Sequence, residues 1–214
     1  MDDKIQKLTL FTLGNSAVGK TSFINRYIKH ISQDNYQPTI GIDYFLKIMK
    51  LENGESLKLY FYDTAGQEKY KSISFNLIKN ADGILLIYDV SEKRSFDEIN
   101  GWIESIKEAK GDNFPIILIG NKCDLEKRVI TKEEGEKLAK EQGFSFIETS
   151  CKEGINIKES VKILVDDIMK RRKSTKLKNI EGNNDNDFRD LNTIRLSKKS
   201  NNKKNETKKK CCNQ

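Results

Sequence analysis

Short apolar runs rich in β-branched and aromatic residues alternate along this chain with longer stretches whose apolar positions recur every three or four residues. Leu8 to Leu13, Ile42 to Leu51, Ser56 to Tyr62, Gly83 to Tyr88, Pro115 to Gly120 and Phe144 to Thr149 read as six strands. Between the second and third, Asn53-Gly54 predicts a two-residue type I′ hairpin turn. The intervening stretches predict helices over Lys20 to His30, Ser91 to Lys110, Thr131 to Gln142 and Ile155 to Arg172. In Ser91 to Lys110 the apolar face is Phe96, Ile99, Ile103 and Ile106; in the last helix it is Val161, Leu164, Val165 and Ile168.

Strands alternating with helices predict an α/β domain built on a mostly parallel six-stranded sheet flanked by helices. In such sheets ligands bind beyond the carboxyl ends of the strands, so the loops after the strands are where chemistry belongs. Beyond Arg172 the pattern dissolves into Asn, Lys, Ser and Asp. That segment cannot bury enough apolar surface to offset its ordering entropy. The expected organisation is one domain over residues 1–172 and a disordered basic tail over 173–214.

Charge sharpens this division. From Lys173 onward there are 12 Lys/Arg against 5 acidic residues, so the whole net charge of +7 falls in the last 42 residues. The body is neutral, which argues against a nucleic-acid polymer and favours an anionic membrane surface as the tail's partner. No signal peptide, membrane-crossing apolar stretch or N-myristoylation site is expected, residue 2 being Asp. Two of the four cysteines, Cys123 and Cys151, lie in the body and two, Cys211 and Cys212, stand together near the end. This is no disulfide framework, and a reducing cytosol is the default.

Gly14-Asn-Ser-Ala-Val-Gly-Lys-Thr21 matches the P-loop pattern, placed between a strand and a helix as its mechanism requires. The backbone N–H groups of Gly14, Ser16, Ala17, Val18 and Gly19, running into the helix start at Lys20, Thr21 and Ser22, would form a nest for phosphates. Lys20 would reach the β- and γ-phosphates, and the Thr21 hydroxyl would ligate Mg²⁺. Asp63-Thr-Ala-Gly66-Gln67 follows another strand. Asp63 would hold Mg²⁺ through water, the Gly66 N–H would approach a γ-phosphate, and Gln67 would orient an attacking water as the catalytic residue. Alone, an Asp followed by Gly commonly just makes a turn.

Asn121-Lys122-Cys123-Asp124 bears on the base. Asp124 would accept hydrogen bonds from the guanine N1–H and exocyclic amine, two donors that adenine does not present together. Asn121 would brace the base edge and the P-loop, and the Lys122 stem would cover the ring. At Glu148-Thr-Ser-Cys-Lys152 the Cys151 N–H would meet guanine O6, with Ser150 and Lys152 supporting the loop.

These four signals, in this order and each after a strand, resemble the G domain of the Ras superfamily over residues 7–172. Thr39-Ile-Gly-Ile-Asp43, Lys58 to Asp63, Lys69 to Ile73 and Ala81 to Asp89 are further similar to the Rab family. The resemblance implies that Thr39 binds Mg²⁺ and the γ-phosphate in the GTP state. It implies geranylgeranyl groups on Cys211 and Cys212, one such chain being marginal and two stable as an anchor. It further implies an exchange factor, a GTPase-activating protein, a dissociation inhibitor, a prenylation escort protein and effectors. The implied function is a monomeric GTPase regulating vesicle traffic from the cytoplasmic face of intracellular membranes, with a cytosolic pool. A GTP-binding module with negligible hydrolysis and a Ras-like signalling GTPase stay open as alternatives at this point. Trp102 falls where Rab proteins often carry a Trp and is assigned to core packing.

Several positions depart from the family pattern. Asn15 and Ala17 replace a common Asp and Gly in the P-loop, Tyr62 stands for a Trp, and Leu77 for an aromatic residue. The last two positions typically help form the effector surface. Where the family usually stacks an aromatic residue on the guanine ring, this chain has Ser32, with Ile31 and Tyr36 nearest. The expected consequence is nucleotide release faster than is usual for the family; a stopped-flow release rate as slow as the family's would contradict it.

Overall fold

The computed structural model describes residues 6–29, 42–51, 54–64 and 78–174. The chain divides into two units, Met1–Ile168 and Met169–Gln214. Of the second, residues 169–174 are described and are helical. Thr39, Gly66, Gln67, Cys211 and Cys212 lie outside the described residues, as do Ile31, Ser32, Tyr36, Asn53 and Leu77.

The first unit carries strands β1 (Gln6–Leu13), β2 (Ile42–Lys50), β3 (Ser56–Thr64), β4 (Gly83–Asp89), β5 (Ile116–Asn121) and β6 (Ser145–Thr149). They form one sheet in the order β2-β3-β1-β4-β5-β6. Only β2 runs antiparallel to its neighbour. The continuous apolar runs of β4 and β5 are explained by burial of every residue in both strands, as a sheet covered on both faces requires. The helices are α1 (Lys20–Lys29), α2 (Lys93–Asp97), α3 (Ile99–Lys110), α4 (Lys132–Gln142) and α5 (157–168).

Two details differ from the pattern reading. The helix expected over Ser91 to Lys110 is broken at Glu98, which separates α2 from α3. Yet Ile99, Ile103 and Ile106 are buried as their spacing requires. The β2–β3 hairpin closes between Leu51 and Glu55, with Leu51 N–H donating to the Glu55 carbonyl (2.9 Å) and Gly54 N–H to the Leu51 carbonyl (3.0 Å). Three residues are thus enclosed rather than two, with Gly54 at φ +84° in the left-handed position such loops reserve for glycine. A dipeptide signal locates the turn without fixing its register.

Packing on the α2/α3/α4 side joins Phe11, Leu13, Leu86, Trp102, Ile103 and Leu118 in one core. In α5, Val161, Leu164, Val165 and Ile168 are buried, the face that their spacing assigns. The capping box at Thr131, with Glu134 closing it, and Gly143 at φ +72° fix both ends of α4.

Among the described residues one buried side-chain polar atom lacks a hydrogen-bond partner, the Tyr88 hydroxyl. Its ring meets Phe96 edge-on at 4.9 Å within the core. An unpaired buried hydroxyl costs about 1 kcal/mol or more. Tyr88→Phe is therefore expected to raise stability by about 1 kcal/mol in urea unfolding; a lower midpoint would contradict this assignment.

Candidate nucleotide site

The chain leaves β1 toward β2 and β3 on one side, then crosses to β4, β5 and β6 on the other. That reversal opens a crevice at the carboxyl end of β1, where the loop Gly14 to Gly19 lies. The tight course of this loop is written into its glycines. Gly14 has φ +135°, and a Cβ there would sit 2.0 Å from the Ile87 carbonyl oxygen; at Gly19, with φ +102°, it would sit 2.3 Å from Asn121 Nδ2. Ala17 takes φ +62° with no such freedom, a strain of about 1–2 kcal/mol. Phe23 N–H is bonded to the Gly19 carbonyl at 2.8 Å. The N–H groups of Lys20, Thr21 and Ser22, ahead of the first helical bond, belong to the part of a helix that seeks outside acceptors.

Lys20 is buried, and its ammonium donates to the carbonyls of Gly14 (3.0 Å) and Asn15 (2.7 Å). Burial pulls its pKa down to about 8, against the opposing pull of the Asp63 charge. Asp63 is fully buried at the end of β3 and accepts from Thr21 Oγ1 (2.5 Å) and Thr12 Oγ1 (3.4 Å). Burial pushes its pKa up despite these bonds and the Lys20 charge. Both shifts have one cause. A cation and an anion are held out of water, and each offsets the other's burial only in part. Thr21 and Asp63 give a pair of hard oxygen donors side by side, the set that Mg²⁺ accepts alongside phosphate and water.

Asn121 ends β5 almost fully buried and ties three loops together. Its Nδ2 donates to the Val18 carbonyl at 2.8 Å, and its Oδ1 accepts from Thr149 Oγ1 (3.1 Å) and Cys151 Sγ (3.3 Å). The Cys151 thiol is pushed up to about 12, mainly by burial. Lys122 adopts φ +66°, and its ammonium pairs with Asp89 Oδ2 at 2.6 Å. The other Asp89 oxygen accepts from Ser91 N–H and Oγ–H (2.8 and 2.7 Å). Asp124 is half-buried beside them, and its carboxylate accepts no hydrogen bond from the described residues. Ser150 shapes the last loop by accepting from Glu153 N–H at 3.0 Å and bridging to Ile155, while Lys152 is exposed. Arg128 pairs with Glu148, joining the loop after β5 to the end of β6.

The structure thus gathers Gly14 to Ser22, Asp63, Asn121, Lys122, Asp124 and Ser150 to Lys152 at one end of the sheet. Pattern reading missed Asp89, Thr149, Arg128 and the bond between Trp102 and Asn15, all long-range pairings that carry no local signature.

Comparison with known proteins bears on the same span. The Ras family model matches residues 9–170. Ras-related protein Rab-13 of Bos taurus is 41% identical over 178 residues, 83% of this chain and 86% of that protein. Ras-related protein Rab-3C of Bos taurus is 42% identical over 158 residues, covering 73% of this chain and 69% of its own. GTP-binding protein Rab-3D of Rattus norvegicus is 43% identical over 158 residues, covering 73% and 72%.

Lys20 supplies a pH test. With a pKa of about 8, its amine is mostly neutral at pH 9. Phosphates beside it stabilise the charged form and raise that pKa. Nucleotide binding at pH 9 should therefore take up protons, and at pH 7, where Lys20 is already mostly charged, take up almost none. Calorimetry in buffers of different ionisation enthalpy reads this directly; equal uptake at both pH values would contradict it.

Proposed function

The chain belongs to the Ras family, in its Rab group of small GTPases, and from that premise we propose that it is a hydrolysing switch which binds GTP and GDP at this end of the sheet. The observation that carries the reading is the meeting of three loops on the Asn121 side chain, three residues before Asp124, whose half-buried carboxylate accepts no hydrogen bond among the described residues.

In this reading Asp124 accepts from guanine N1–H and its exocyclic amine, and the Cys151 N–H meets O6. Against adenine the Asp124 charge would lose those partners, a cost large enough to enforce specificity. Lys122, held by Asp89, lays its stem over the ring. The P-loop N–H groups from Gly14 to Ser22 cradle the phosphates, and Lys20 exchanges part of its burial cost for contact with the β- and γ-oxygens. Thr21, Asp63 and, in the GTP state, Thr39 hold Mg²⁺, which supplies positive charge to the phosphate oxygens.

Gly66 and Gln67 complete the hydrolytic side, Gln67 orienting the attacking water. No Arg occurs in the sequence around Thr39 or Gln67, so intrinsic turnover is slow and a GTPase-activating protein supplies the missing cation. GTP orders the two loops carrying Thr39 and Gln67, hydrolysis releases them, and effectors sense the difference. On edge strand β2 an exposed apolar row of Tyr44, Leu46 and Ile48 supports an effector surface there, with Tyr44 tilted against Tyr62 at 6.3 Å.

The same reading makes residues 1–172 the switch and 173–214 its membrane arm. No helix among the described residues is long and apolar enough to cross a membrane. Prenyl groups on Cys211 and Cys212 serve as anchor, aided by Lys198, Lys199, Lys203, Lys204 and Lys208 to Lys210 at about 1 kcal/mol each on anionic lipid. An exchange factor, a dissociation inhibitor and an escort protein for prenylation complete the cycle, and vesicle traffic is the process served.

Single-turnover hydrolysis tests the switch. Protein loaded with GTP and Mg²⁺ is expected to release phosphate at about 10⁻⁴ to 10⁻² per second, and Gln67→Ala to slow this markedly. Retention of unhydrolysed GTP would make the chain a binding module instead. Asp124→Asn is expected to shift preference from guanine toward xanthine nucleotides in competition binding.

A further inference from the structure

Trp102 is the single tryptophan of the chain and is 2% exposed in α3. A buried indole N–H needs a partner, and this one reaches across 87 positions of sequence to Asn15 Oδ1 at 3.0 Å. Asn15 is the second residue of the P-loop, and its backbone carbonyl accepts from the Lys20 ammonium at 2.7 Å, the shorter of that ammonium's two carbonyl contacts. One residue thus joins a rigid core side chain to the phosphate-facing cation.

We propose that Trp102 is a positioning residue for nucleotide retention: by holding Asn15 it orients the carbonyl that aims Lys20 at the phosphates. The inference rests on the reading of the site as a guanine-nucleotide site. Packing alone does not require the bond. A ring of Phe would fill much of the same space among Phe11, Leu13, Ile99 and Ile103 but would carry no donor. With the bond intact, Asn15 sits half-buried between core and loop.

The test is the release rate of fluorescent GDP from the full chain with Mg²⁺, in a double-mutant cycle. Trp102→Phe and Asn15→Ala should each speed release by about 3- to 10-fold, the range a single net hydrogen bond of ordinary strength produces. The double variant should be no faster than the faster single, because each removes the same bond. Asn15→Asp, which keeps an acceptor oxygen, should restore part of the lost retention and release more slowly than Asn15→Ala. Ile106→Val, a core change on the same helix, should lower the melting temperature and leave release unaltered.

Multiplying rates in the double variant, or release as slow as native from both single variants, would overturn the proposal. If Trp102→Phe does not fold, Asn15→Ala against Asn15→Asp still decides it: faster release in the first supports it, equal rates overturn it. Failure of the native chain to bind GDP at all would instead sink the guanine-nucleotide reading.

Discussion

The side-chain amide of Asn121 donates to the Val18 carbonyl at 2.8 Å while its oxygen accepts from Thr149 and Cys151, so the loops after β1, β5 and β6 meet on one group. Asn121 is 1% exposed, and its removal would take a buried hydrogen bond from each of these partners. The close approach also explains Gly19, where any side chain would run into the amide. A β-strand end is a rigid support, and here the ends of β5 and β6, at Asn121 and Thr149, hold the loop after β1 at Val18 through one side chain. What lies on that surface, Asp124 on one side and the P-loop on the other, is separated by the span that Asn121 sets.

Electrostatics distinguish the two halves of this surface. The P-loop half stores charge out of water: Lys20 is held low and Asp63 high, each by burial. Such a pair is a weak source of stability by itself and a strong one for a ligand that brings phosphates and a cation. The Asp124 half is instead held by neutral hydrogen bonds and by two ion pairs, Lys122 with Asp89 and Arg128 with Glu148. Lys122 and Ala17 both take left-handed backbones, and both flank this site, where strain is tolerated because neighbouring bonds over-determine the geometry.

Much of this was legible in the chain because periodicity and spacing are local. The apolar runs Gly83 to Tyr88 and Pro115 to Gly120 declared the central strands, observed as Gly83–Asp89 and Ile116–Asn121, and Gly14 to Thr21 declared a tight loop between strand and helix. The break at Glu98 and the three-residue hairpin loop were not legible, since apolar spacing continues through the first and Asn-Gly suits more than one turn. Nor was the second role of Trp102. A bond between positions 15 and 102 leaves no trace in either neighbourhood, and a buried Trp reads as core whether or not its N–H is employed. The same holds for Asp89, which looks like the polar end of a strand until Lys122 is seen to reach it.

The affinity of Asn121→Ala for GDP measures most directly what the Asn121 amide holds together. The three lost bonds predict a dissociation constant raised by about 100-fold or more, with the far-UV circular dichroism of the sheet and helices retained. A constant within about threefold of the native value would contradict the claim that this one side chain holds the binding surface together.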